Sequence, residues 1–165
     1  ADLMESFVES NKHNLDAQIH FATAFELKDQ VELLKAEQMA MTSGATDEEE
    51  LEKTTLLTDQ TEKLIAQRAA EQPELSAEGR ENYQKGLVSY FLAMATARDV
   101  ISAGGNVGRP SLGNPLAAAR DAKSAAYVIR EAPSYLQKLQ SGATMLLTYA
   151  RNNNIEVPEN ATSLL

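Results

Sequence analysis

The most regular apolar pattern lies near the middle of the chain, where Tyr83, Leu87, Tyr90, Met94, Ala97 and Ile101 recur in steps of 4, 3, 4, 3 and 4. Such spacing returns side chains to one stripe of a helix, the seam through which helices pack, and Phe91 widens it. A second seam, Leu136, Leu139, Ala143, Leu146 and Ala150, runs beside another row, Tyr135, Gly142, Met145 and Tyr149. That helix is apolar on two sides, as a central helix is. Near the start, Leu15, Ile19 and Ala22, then Leu27, Val31 and Leu34, form two stretches of 3–4 spacing offset by about one residue. They read as one long helix with a slowly rotating stripe.

Capping chemistry sets the boundaries. The first helix opens at Asp2, with Glu5 in capping-box spacing, and runs toward Met41 before Thr42-Ser43-Gly44 ends it. Its polar stretch Asn11-Lys12-His13-Asn14 is the weak point, where a break or kink is expected. A second helix is predicted from Asp47 to Gln72, with Thr46 and Glu49 as a capping box and four successive acids at its positive end. Its apolar set, Leu51, Leu57, Leu64 and Ile65, is thin, and Thr54, Thr55, Thr58 and Thr61 fill much of the rest, which places it at the bundle edge. Pro73 and Ser76 lead into the third helix, which stops at Gly104-Gly105. Asn114-Pro115 starts an alanine-rich fourth helix reaching Glu131. Pro133 then breaks or kinks the chain, and Ser134 with Gln137 starts a fifth segment that ends at Asn152-Asn153-Asn154.

The prediction is therefore all-α: an antiparallel helical bundle of four long helices plus a shorter or kinked fifth segment, in a single domain over 1–165. A glycine-rich interhelical loop occupies 104–114, and an irregular tail, 152–165, is expected to pack back on the bundle. Alternating β-branched runs are missing, and alanine is the commonest of the 165 residues.

Composition narrows the chemistry. The chain contains no Cys, which removes disulfides, thiolate metal sites, iron–sulfur clusters, covalent c-type haem and cysteine nucleophiles. The net charge is -9 and the pI about 4.7, so a polyphosphate surface is repelled and nucleic acid is not an expected partner. The excess is uneven. Residues 1–72 carry 16 acidic and 6 basic side chains, whereas residues 73–165 carry 8 and 9. No apolar run has the length of a membrane span. The chain begins at Ala1 rather than Met, which fits a processed, exported bacterial protein, periplasmic or secreted, although a cytoplasmic location stays open.

Three groups of residues could carry a function. Glu9, His13, Asp16 and His20 fall at i, i+4, i+7 and i+11 of the first helix, a spacing that puts imidazole and carboxylate ligands for a divalent metal on one face. The plain alternative is an exposed polar face opposite Leu15 and Ile19. In the loop, Arg109, Ser111 and Asn114 precede a helix N-terminus and could hold a carboxylate or phosphate, yet the P-loop ending is missing and Pro110 removes an amide donor. Arg98 and Asp99, like Arg120 and Asp121, sit within apolar stretches and suggest buried ion pairs between helices. Arg98, Asp99 and Arg109, with Tyr83 and Tyr90, could line a small-molecule cavity between helices three, four and five, although aromatic rows at helical spacing usually form core.

Both histidines lie near the start, and no Ser/His/Asp arrangement is visible. An enzyme is thus not the leading expectation. The reading that follows is a non-enzymatic bundle, a protein-interaction or structural module whose acidic helices and central loop meet another protein. The alternatives are a divalent-metal-binding bundle using the first helix, and a small-ligand sensor or enzyme with its pocket between helices three to five. Self-association through the 83–101 seam is a further partner possibility.

Overall fold

A computed structural model of the chain describes residues 2–43, 46–105 and 115–165, without the side chains of residues 115–121 and Thr162. Among the described residues there are five α-helices: α1 (Leu3–Ala24), α2 (Lys28–Thr42), α3 (Glu48–Ala70), α4 (Ala77–Gly104) and α5 (Pro115–Asn152), followed by a short 3-10 turn, Thr162–Leu164. No strand occurs among them. The all-α helical bundle is as the sequence predicts, but two of its breaks lie elsewhere.

The first helix does not break at Asn11–Asn14. The buried Asn11 amide donates to the Phe7 carbonyl one turn back (2.9 Å), so this polar side chain is satisfied within a continuous helix. The chain turns instead at Phe25–Leu27. There Leu27 N–H bonds the Ala22 carbonyl (2.8 Å) and Glu26 N–H bonds that of Thr23 (3.1 Å). This is a Schellman closure, with Glu26 at φ 58° where glycine is the usual residue. The one-residue offset between the two apolar stretches marks this elbow rather than a rotating stripe. The short fifth element is consequently α2.

Pro133 does not end α5, which runs through it from Pro115 to Asn152. Proline removes one backbone donor, the partner of the Ile129 carbonyl. Buried Val128, Ala132, Tyr135 and Leu139 lock the segment on both sides of it into the core, and packing outweighs the lost bond.

Side-chain contacts fix the directions. α1 runs antiparallel to α4, with Ser10 bonded to the Ala93 carbonyl and His20 to Asn82. α4 runs antiparallel to α5, with Tyr83 donating to the Leu146 carbonyl and Tyr90 to that of Leu139. α2 and α3 form an antiparallel hairpin through Gln30–Thr61 and Glu37–Thr54. The most extensive packing joins α1 to α4. At its centre Gly86 lets α1 approach: a Cβ there would lie 2.7 Å from the Phe21 ring.

Two of the sequence-derived seams are core. Tyr83, Leu87, Tyr90, Met94 and Ala97 are fully buried within the chain, as are Leu139, Ala143, Leu146 and Ala150. The tail also returns to the bundle. Ile155, Ala161 and Leu164 are buried, Arg98 donates to the Ser163 carbonyl (2.8 Å) and Gln140 to that of Leu164 (3.3 Å).

Candidate functional site

The tyrosines are spent on packing. Phe21 meets Tyr83 edge-on at 5.0 Å, and Phe25 and Tyr83 each lie 5.2 Å from Tyr149. Their hydroxyls end on backbone: Tyr83 on Leu146 (2.6 Å), Tyr90 on Leu139 (2.8 Å) and Tyr149 on Pro73. Burial pushes the phenols of Tyr83, Tyr90 and Tyr135 well above their ordinary range, so they stay neutral donors.

Of the residues expected to line a cavity, those that the structure describes are not brought together. Arg98 and Asp99 are exposed, because the buried positions around them are Ala97 and Val100. This corrects the expectation of a buried ion pair at that point. Arg109, Ser111 and Asn114 lie outside the described residues, and the side chains of Arg120 and Asp121 do too.

The α1 ligand face resolves into two pairs. His13 Nε2 lies 3.6 Å from Glu9 Oε1, and His20 Nε2 lies 3.6 Å from Asp16 Oδ2. The second pair is the better built, because α4 supports it. Ser89 donates to Asp16 Oδ2 (2.6 Å), and Asn82 Oδ1 faces His20 Nδ1 at 3.2 Å, which selects the Nδ1–H tautomer. The Ser, Asp and His here do not make a nucleophile, since the serine hydroxyl is bonded to the carboxylate and not to the imidazole. Among the described residues no group of three or more His, Asp or Glu side chains is placed to share a metal ion.

The acidic hairpin was legible only as charge. Its inward seam on α3 is Leu51, Thr54, Thr58, Thr61, Ile65 and Ala69, half of it threonine. These hydroxyls are satisfied locally: Thr58 by the Thr55 carbonyl (3.1 Å), Thr61 by that of Leu57 (2.9 Å), and Thr54 by Glu50 O and the Glu37 carboxylate (2.7 Å). α2 buries only Leu34 and Met41. Leu33 (53%), Met39 (71%) and Leu56 (63%) stand exposed on a hairpin of net negative charge, with ten acidic and five basic side chains over residues 28–70. Hydrogen bonding to Glu37 is the chief cause that raises the Glu50 carboxyl above its ordinary value, and Asp47 adds to it.

Sequence reasoning missed Glu62. It follows Thr58 by one turn and reaches across α5 to the Tyr90 hydroxyl (3.0 Å), passing over Gly142. A Cβ on Gly142 would overlap both the Glu62 carboxyl and the Tyr90 hydroxyl. The carboxyl is raised above its ordinary range, chiefly by burial, against the lowering effect of the Tyr90 hydrogen bond. The available signal was Gly142, a glycine in the interior of an otherwise apolar helix row.

Comparison of the chain with protein-family models, with curated proteins and with solved structures gave no match.

Proposed function

We propose that the protein is a non-enzymatic interaction module whose α2–α3 hairpin receives a partner protein carrying basic and apolar side chains. One observation carries this reading: α2 buries two residues only, while Leu33, Met39 and Leu56 stay more than half exposed on a hairpin of net negative charge. Large apolar side chains on a surface where acids outnumber bases ten to five, over residues 28–70, are suited to a partner that covers the first and offsets the second. The tyrosines of the interior are committed to packing, and Arg98 and Asp99 are exposed whereas Tyr83 and Tyr90 are buried, which leaves the hairpin surface as the feature this reading rests on.

The test is affinity capture from the native host with the wild-type chain and with a Leu33→Ser, Met39→Ser, Leu56→Ser variant. The expected result is a reproducible partner that is released as salt is raised from about 50 to about 300 mM and is lost by the variant, whose Tm stays unchanged. Recovery of the same partner by the variant, or of none by either chain, contradicts the reading.

A second reading, a divalent-metal site on α1, is favoured by the Asn82 contact, which leaves His20 Nε2 facing Asp16. Elemental analysis of untagged protein beside His20→Ala decides it. Stoichiometric metal lost on substitution supports it, and absence of metal from both samples removes it.

A further inference from the structure

Both connections that join the α2–α3 hairpin to the rest of the chain pass through a non-glycine residue at positive φ, Glu26 at 58° and Gln72 at 51°. A residue with a Cβ is disfavoured there. The two connections lie side by side, since Phe25, Glu26 and Leu27 line the same cleft as Pro73, Glu74 and Leu75. The hairpin is thus attached through two adjacent hinges at one end of the bundle.

The first hinge has an alternative conformation open to it. Residues 2–43 contain neither glycine nor proline, so no residue type in the run from α1 to α2 resists a helix. Phe25, at φ -91° and ψ 9°, is already near helical geometry, and the departures from it are Glu26 and Leu27 (φ -84°, ψ 69°). Rotation at these two positions joins α1 and α2 into one rod and releases the left-handed residue. The single long helix implied by the apolar spacing is that second form.

The seat of the hairpin on α1 parts without loss of a cross-helix hydrogen bond. Thr54, Thr58 and Thr61 are buried on α3, as are Asn14 and Gln18 on α1, and Asn14 shares a crevice with Thr55 and Thr58. The three hydroxyls bond carbonyls of their own helix, and Gln18 donates to Asn14. Among the described residues no hydrogen bond joins α1 to α3, and the buried Gln18 Oε1 has no hydrogen-bond partner. Two polar contacts tie α3 to the other helices, Glu62 with the Tyr90 hydroxyl (3.0 Å) and Asp59 with Lys138 (3.1 Å). The main loss on leaving is apolar, the burial of Leu51, Ile65 and Ala69, and an identical hairpin restores it.

We infer that the α2–α3 hairpin is exchanged between two copies of this chain, α1 and α2 straightening about Glu26 so that each hairpin takes the seat vacated by the other. The contacts of the closed chain are kept, each copy sheds its left-handed elbow, and short strained connections favour such exchange. The partner is a second copy of the chain.

The test refolds the full chain from urea at about 1 mM, where mass action favours association, and separates dimer from monomer by size-exclusion chromatography. Because the chain has no Cys, Glu9→Cys with Lys35→Cys gives one spin-label site on α1 and one on α2, both exposed. In an uninterrupted helix these positions lie about 39 Å apart, at 1.5 Å per residue. That distance is expected in the dimer, diluted with unlabelled chain, and a much shorter one in the monomer, where α2 packs on α1. Glu26→Gly suits the closed elbow and disfavours the straight helix, and is expected to reduce the dimer at least about tenfold. Monomer alone, a dimer that keeps the monomer's distance, or an undiminished dimer with Glu26→Gly overturns the exchange. Leu33, Met39 and Leu56 are exposed and take no part in it, so failure here leaves the partner reading of the hairpin standing, and the reverse holds.

Discussion

Glu62 adds a pH-dependent contribution of its own to the stability of the chain. Its carboxyl is held above the ordinary value of 4.5, mainly by burial. Below that value the group is protonated in both folded and unfolded chains, and ionisation costs nothing. As pH rises, the unfolded chain releases its proton first, which favours unfolding, and the loss levels off once the folded group has also ionised. Glu62→Gln lacks this penalty. Thermal melts are expected to show the variant equal to wild type near pH 4 and increasingly more stable toward pH 7; a constant difference across that range contradicts the assignment. Gly86 gives a second prediction at this scale. Alanine gains about 1 kcal/mol in helix propensity but forces a methyl against the Phe21 ring, itself wedged between Tyr83 and Tyr90. Overpacking of a rigid site costs about 1–3 kcal/mol, so Gly86→Ala should lower Tm, and a raised Tm would show that α1 can retreat.

Among the elements, the ends are where sequence and structure part. The starts of α1 and α4 follow Asp2 and Ser76, which accept from Met4 and Gly79 N–H, but α3 is capped by Asp47, one residue past the Thr46–Glu49 box, and Thr46 donates to the Met41 carbonyl instead. The stops at Thr42, Gln72, Gly104 and Asn152–Asn154 were legible as well, and the one missed is the end of α1. α1, α3 and α5 close at Glu26, Gln72 and Asn154, all with positive φ, and only the last is a residue type that advertises a left-handed turn. Pro133 misled in the opposite sense, because buried neighbours on both sides override a single lost hydrogen bond. Relief of the conformation at Glu26 should therefore be measurable: its side chain is exposed, and Glu26→Gly is expected to stabilise the chain by about 0.5–1 kcal/mol in urea unfolding. A loss of stability would mean that the side chain contributes more than its backbone strain costs.

For the molecule as a whole, the interior was largely legible and the candidate sites were not. Seams at 3–4 spacing encode burial, and Tyr83, Tyr90, Leu139 and Leu146 follow them. Glu62, Asn82 and Ser89 matter through partners on other helices, a relation that no local spacing carries. The same division shapes stability. α1, α4 and α5 share the aromatic interior, with rings such as Phe21, Tyr83 and Tyr149 in mutual contact. α2 is attached through buried Leu34 and Met41, half-buried Val31, its packing on α1 and hydrogen bonds to α3 through Gln30 and Glu37. A helix so lightly held should open well below the free energy of global unfolding.

Native-state hydrogen exchange, resolved by helix, tests this division most directly. Amides of α1 and α4 around Phe21, Tyr83 and Tyr90 are expected to exchange only through global unfolding, and those of α2 to exchange fastest among the five helices. Equal protection of α2 and α4, or rapid exchange around Tyr83 and Tyr90, would contradict a closed aromatic interior that carries a loosely held acidic hairpin.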